Sequence, residues 1–383
     1  MFKRIIKLTI NFLVNISLFF INLIIIFSKI FLIKKADIII FQNQRIGFGN
    51  IFTSIDLARK LFKNKKILFI HFFDSSRFHN KKIFEFLLEE KIILYTSIFI
   101  KFRKLRFGEY DQYMRKSKSN YFQSILITMI KIFSKNNSIS FNIFELYNYA
   151  TKKNKFIRNR KYKFNSPNHQ WLSYYYYLVE KNNSLKLNFQ NSFIKEISCK
   201  SSLKKICFYK REKNFINNHT QNFNLYFKLI KMFHKKNFEI YLTGEYKNLI
   251  KKFPSIKNLV SLPEYNGNFS QSKNLAMQLV SDYYIGDSGG GSYFAMYKKK
   301  SLILGVAEEN KYINKVKIFR YSLYQNNKRV VNNKKFKKFL KKKTISLKAA
   351  LDSLELSRMG FEIKSYNHND VIKYVRQNML NKQ

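Results

Sequence analysis

Gly286-Asp287-Ser288-Gly289-Gly290-Gly291-Ser292 joins a carboxylate, two hydroxyls and a glycine run in one short segment. The chain has only 11 glycines in 383 residues, and four of them fall here. Glycine lets the backbone approach a ligand closely, and the start of a following helix offers unpaired N–H groups to an anion. Such a segment can hold a phosphate or a sugar hydroxyl. Lys210 and Arg211 are adjacent cations that could meet phosphate charge. Thr243, Gly244 and Glu245 bring a hydroxyl, a close-approach position and a carboxylate suited to a ribose or base. Nearer the N-terminus, Arg45, Gly47, Gly49 and Asn50 form a second glycine-bearing turn. His71 and Asp74 are the candidate general bases there, with Asp56 a weaker choice.

The elements around these residues alternate. Apolar runs at 37–41, 66–71 and 91–95 are separated by helical patterns to about 62 and near 80–90. The alternation restarts with runs at 204–209, 238–243, 258–262 and 283–286. Helical patterns at 222–236, 246–252 and 271–280 lie between them. A further helical pattern and the run Ser301–Gly305 follow the glycine segment. Short apolar strands between helices predict parallel sheets covered on both faces. Between 97 and 200 the pattern is sparser, with helices expected at 121–134 and 170–181. The second of these carries Trp171 and the run Tyr174–Tyr177, an aromatic set that suits a core or a subunit contact better than a sugar platform. Three parts result: residues 1–35 as a membrane-associated helix, 36–200 as one Rossmann-like domain with a helical insertion, and 201–383 as a second. Neither half has a GxGxxG, which argues against a dinucleotide oxidoreductase.

Composition narrows the classes. The net charge is +49, which favours anionic partners such as phospholipid surfaces and nucleotides. No helix-turn-helix, zinc-finger or RNA-recognition pattern accompanies it, so nucleic acid is not expected. The densest basic run, Lys334–Lys343, is either a solvated helix face or a membrane-surface segment. Two cysteines give no disulfide framework and suit a reducing compartment. No zinc spacing and no Asp-x-Asp triplet occur, so no metal and no cofactor is expected. Gly-Asp-Ser-Gly-Gly also surrounds the nucleophile of trypsin-like proteases, but the alternating pattern and the cysteine count do not fit that all-β fold. Leu8–Ser28 carries no charge and is long enough to span a bilayer. Lys7, Asn11, Asn15, Asn22 and Lys29 mark a polar stripe, so the helix either crosses or lies in the interface.

Taken in order, these motifs resemble the GT-B glycosyltransferases, in which two Rossmann-like domains face a cleft. Arg45-Ile-Gly-Phe-Gly-Asn-Ile-Phe-Thr53 resembles the first-strand turn of the lipopolysaccharide heptosyltransferases, and Gly286-Asp-Ser-Gly resembles their donor loop. A closer resemblance is to a bacterial glycosyltransferase family of surface-polysaccharide loci. It includes the closing segments Thr344–Leu351 and Gly360–Val375 and covers most of 36–380.

The resemblance implies a hexosyl- or heptosyltransferase that takes a nucleotide sugar as substrate. The acceptor would be a cell-surface glycan or a lipid-linked molecule, and the enzyme would work on the cytoplasmic side of the cytoplasmic membrane. Lys210, Arg211, Thr243, Gly244, Glu245 and Asp287–Ser292 would hold the donor, and Arg45, Gly47, Gly49 and Asn50 would line the acceptor side. In the heptosyltransferase pattern an Asp stands where this chain has Asn50, and an amide accepts no proton at neutral pH. The competing class is a non-catalytic membrane-surface protein that binds anionic lipid or polymer by charge.

Overall fold

The computed structural model describes residues 2–42, 48–73, 78–96, 121–155, 170–199, 202–210, 223–244, 259–261, 275–287, 290–306, 315–320, 322–329, 357–358 and 360–381. The chain divides into two compact units: residues 1–103 with 111–182, and residues 104–110 with 183–383.

In the first unit, β1 (Ile38–Gln42), β2 (Ile67–Phe73), β3 (Lys91–Tyr95) and β4 (Ile139–Asn142) form a parallel sheet in the order β3-β2-β1-β4. Every residue of β1 is buried, as expected for a strand covered on both faces. One face of the sheet carries Ile39, Phe41, Leu68, Ile70, Phe72, Ile92 and Leu94. These pack with Ile26 of α1 (Phe2–Ser28), Ile33 of α2 (Ile30–Lys35), and Leu126 and Ile130 of α5 (Tyr121–Phe133). Burying a side chain such as Ile26 contributes roughly 1.5–3 kcal/mol. Ile26 and Ile33, within the segment 1–35 read from the sequence as a separate part, therefore contribute to the core of this unit. Among the described residues the remaining helices are α3 (Phe48–Leu61), α4 (Phe78–Leu87), α6 (Ile143–Lys155) and α7 (Gln170–Lys181). Asn142 starts α6 with a capping box. Its Oδ1 accepts from Phe144 N and Glu145 N, while its own N–H donates to Glu145 Oε2. The tyrosine run of α7 is core: Tyr175 and Tyr176 are buried, and Trp171 stacks on Tyr147 at 3.9 Å.

The second unit begins with α8 (Ser192–Cys199) and carries six strands: β5 (Lys205–Lys210), β6 (Glu239–Gly244), β7 (Leu259–Ser261), β8 (Tyr283–Asp287), β9 (Lys300–Val306) and β10 (Val316–Arg320). They pair in parallel in the order β7-β6-β5-β8-β9-β10. The chain builds outward from β5 on one side, then returns and builds outward from β8 on the other. The strand order reverses between β5 and β8, the doubly wound arrangement in which ligands bind beyond the carboxyl ends of the strands. The helix α9 (Phe223–His234) covers β5, with Phe233 and Tyr226 edge-on to Phe208. Gly305 has φ 66° where the pairing of β9 with β10 slips by one residue, a bulge that suits glycine.

Three short antiparallel strands follow: β11 (Ser322–Gln325), β12 (Lys328–Arg329) and β13 (Phe361–Lys364). The link between β11 and β12 is Asn326-Asn327, with φ of 48° and 58°, the left-handed pair a two-residue hairpin needs. The chain closes with α10 (His368–Tyr374) and a π-helical turn, Val375–Leu380. The strand and last helix of the expected closing segment are thus present. The expected helix at 246–252, the basic run Lys334–Lys343 and Thr344–Leu351 lie outside the described residues.

Candidate functional site

At the strand reversal of the second unit, the last residues of β5 and β8 form a buried ion pair. Lys210 Nζ lies 3.0 Å from Asp287 Oδ2, and the two side chains are 1% and 0% exposed. Tyr226, from the second turn of α9, places its hydroxyl 2.9 Å from Asp287 Oδ1 and 3.1 Å from the Tyr209 carbonyl. The carboxylate is the stronger acceptor of that one proton. The Phe223 and Tyr226 rings each lie 5.4 Å from Lys210 Nζ, within cation–π range. Burial and the charge of Asp287 hold the phenols of Tyr226 and Tyr366 above their ordinary range, so both stay protonated donors.

Gly244, at the end of β6, pairs in register with Lys210, and Leu304 of β9 pairs with Asp287. Gly244, Lys210 and Asp287 thus end three adjacent strands. The glycine segment continues from Asp287, and residues Gly290–Tyr297 form a 3-10 helix in which Ser292 is fully buried. Gly290 and Gly291 open that helix. Gly286 has a packing role: a Cβ there would stand 2.8 Å from Tyr209 Cβ and 2.8 Å from Tyr284 Oη. Its place in the cluster is explained by the neighbouring strand, with no ligand required.

Thr243 points inward. It is fully buried, its hydroxyl is 3.1 Å from Cys207 Sγ, and it donates to the Phe208 carbonyl at 3.3 Å. Burial pushes the Cys207 thiol up to about 12, which keeps it protonated beside Thr243. Cys199, on α8, is exposed, and both cysteines are free.

In the first unit, His71 is 3% exposed and stacks on Phe84 at 4.4 Å. Burial brings its pKa down to about 4, so the ring is neutral at physiological pH. Its Nδ1 has no hydrogen-bond partner. Gln42, its register partner on β1, has an unpaired buried Nε2, while its Oε1 accepts from Ser54 Oγ at 3.3 Å. Gly49 and Asn50 occupy the first turn of α3. Asp56, on the same helix, is buried 3.8 Å from Lys60 Nζ. Arg45, Gly47, Asp74, Arg211, Glu245, Ser288 and Gly289 lie outside the described residues. Among the described residues, no group of three His, Cys, Asp or Glu side chains could hold a metal ion.

The structure thus joins Lys210 and Asp287, which the sequence offered as separate phosphate and sugar contacts, and adds Tyr226 to them. Sequence reasoning missed Tyr226 because it sits in a helix pattern that reads as ordinary core.

No family model matches the chain, and no curated protein matches it by sequence. Glycosyltransferases are among the solved structures similar to it. A family 9 glycosyl transferase from Veillonella parvula is 11% identical and covers 90% of this chain and 98% of its own, with a TM-score of 0.47. The E. coli ADP-heptose lipopolysaccharide heptosyltransferase II is 11% identical, with coverages of 80% and 98% and a TM-score of 0.42. The NodZ alpha-1,6-fucosyltransferase soaked with GDP-fucose is 11% identical, with coverages of 73% and 98% and a TM-score of 0.35. At these identities and scores no activity transfers from them to this chain. The functional reading rests on the chain's own geometry.

Proposed function

We propose that the protein is a glycosyltransferase that takes a nucleotide sugar in its second unit and passes the sugar to a cell-surface glycan or lipid-linked acceptor. One observation carries this reading: a charged pair and a glycine segment stand together at the strand reversal of a doubly wound sheet. That is where such sheets bind nucleotides. The leaving group is a nucleoside phosphate, whose developing charge must be met by fixed donors. We assign that role to the segment Ser288–Ser292 and to the cation Arg211.

The Lys210–Asp287 pair carries no net charge of its own and sets the positions of the two strand ends. Asp287 is therefore a positioning group, with both oxygens engaged by Lys210 and Tyr226. We assign Gly244 and Glu245 to the nucleoside. On the acceptor side we assign Arg45, Gly47, Gly49 and Asn50, with Asp74 as the base. His71, 3% exposed and stacked on Phe84, is closed to an acceptor, which leaves Asp74 as the assigned base. Donor chemistry proceeds without a metal in this proposal. Free thiols at Cys199 and Cys207 fit the reducing, cytoplasmic side of the membrane.

The test is a thermal-shift screen of nucleoside diphosphates, since a ligand that binds the native state raises its stability. Gly290→Val should then abolish the shift and sugar transfer while circular dichroism stays that of the parent. A folded Gly290→Val protein that binds the nucleotide like the parent would remove the glycine segment from the site.

A further inference from the structure

The two faces of α1 are inverted relative to a helix that meets water. Its protein-facing side carries a buried amide, Asn22. Asn22 is 2% exposed, donates from Nδ2 to the Tyr95 carbonyl at 2.8 Å, and accepts from Tyr95 N at 2.7 Å through Oδ1. Tyr95 ends β3, the edge strand of the first sheet. The asparagine therefore extends the strand's hydrogen bonding and fixes the rotation of the helix. With Asn22 turned inward, α1 presents Ile6, Ile10, Leu13, Ser17, Phe20, Ile24, Phe27 and then Phe31 of α2 to the outside, at alternating steps of four and three. Ser17 satisfies itself on the Leu13 carbonyl at 3.1 Å. Exposure along this stripe reaches 69% at Ile24 and 63% at Phe31. Phe12 and Ile21 widen it, and Ile132 on the neighbouring α5 extends it. Soluble proteins rarely leave so continuous an apolar belt in water.

We infer that α1 lies flat in one leaflet of an anionic bilayer, with this belt among the acyl chains and the first sheet behind it in water. Three observations select that occupant. First, the inward face of α1 closes the sheet's core, so crossing the bilayer would strip Asn22 and Ile26 of their partners. Among the described residues, no helix is long and apolar enough to cross. Second, the spacing of three and four would also suit the seam of a paired helix, but such a seam is narrow and flanked by charges. Here no charge occurs from Leu8 to Ser28. Third, the charges sit where phosphate headgroups would. Lys29, Lys34 and Lys35 are exposed at the C-terminal end, and Lys35 Nζ is 3.8 Å above the Phe31 ring. Lys3, Arg4 and Lys7 stand at the other end. Basic residues flanking an apolar interfacial helix meet lipid phosphate at headgroup level.

This inference is independent of sugar transfer and can be tested without a nucleotide. Full-length protein is floated with phosphatidylglycerol-containing vesicles, with phosphatidylcholine vesicles alongside. We expect at least tenfold more bound protein on the anionic vesicles, release from them at alkaline pH, and loss of binding in the paired variant Ile24→Glu/Phe27→Glu. Circular dichroism checks its fold, and Phe27→Ser replaces it if the paired variant does not fold. Equal binding of parent and folded variant would overturn the inference, as would equal binding to both vesicle types. Retention after alkaline extraction would mean that the helix crosses. A parent that stays off vesicles and forms a dimer, which the variant splits, would make a second copy the occupant.

Discussion

Replacing Asp287 by Asn preserves the side chain's shape and removes its charge. Lys210 would then face an amide at 1% exposure, in a site with little water to compensate. Stripping one charge from a buried pair costs about 3–5 kcal/mol, and the Tyr226 bond to the former carboxylate weakens by roughly 1 kcal/mol. Lys210→Met should cost a similar amount for the mirror reason. The double variant Lys210→Met/Asp287→Leu removes both charges at similar volume. Tyr226 keeps the Tyr209 carbonyl as an acceptor at 3.1 Å, so its hydroxyl is not orphaned. We expect that double variant within about 1–2 kcal/mol of the parent, because an apolar replacement of a buried pair is often neutral. The coupling between the two sites should then be about 3 kcal/mol or more. Urea unfolding of the parent, Lys210→Met, Asp287→Leu and the double variant, followed by circular dichroism, measures it, with Asp287→Asn as the isosteric check. Titration with the nucleotide found by thermal shift supplies the second readout. If the pair positions the donor, the double variant regains stability but not affinity. Additive losses would refute the coupling. A double variant that binds as the parent does would make the pair scaffolding alone.

His71→Phe tests the neutral, buried ring. Above pH 6.5 His71 is neutral in both folded and unfolded chains and adds no pH dependence. As pH falls from 6.5 toward 4, the unfolded chain takes up the proton and the folded chain does not, so stability drops by about 3 kcal/mol over that window. The variant, whose ring can still stack on Phe84, should lose most of that slope in urea unfolding measured at pH 4.5 and 7; an unchanged slope would contradict the assignment. Gly286→Ala should destabilise by about 1–3 kcal/mol through overpacking, and adding Tyr284→Phe should restore only part, because Tyr209 Cβ belongs to a fixed neighbouring strand. Full recovery in the double variant would show that the strand can yield.

The strands that position the site were legible because they are continuous apolar runs between turn residues. β3 falls at 91–95 as expected, and β5, β6 and β8 within a residue or two. β4 was not legible: Ile-Ser-Phe-Asn is short and half polar, and only its pairing with β1 makes it a strand. The hairpin after β11 turns on Asn-Asn, which carries the left-handed backbone less conspicuously than Asn-Gly. The Lys210–Asp287 pair lay beyond local reading, since 77 residues separate its members and only the strand order brings them together. The polar stripe Lys7, Asn11, Asn15, Asn22 and Lys29 does not say by periodicity which face of α1 meets the protein: Asn22 is buried and Lys29 is exposed. A sheet-edge carbonyl and N–H drew Asn22 inward and left the apolar face outside.

The unequal burial of the two thiols has an optical consequence. Cys207 is sealed in the sheet and held as an unreactive thiol, while Cys199 on α8 is open, so a maleimide dye should attach at one place and in the second unit. The chain's single tryptophan, Trp171, sits in the first unit against Tyr147. The native sequence therefore carries one energy donor and one acceptor site, one per unit. Energy transfer between them would report on the spacing of the two units with no residue replaced.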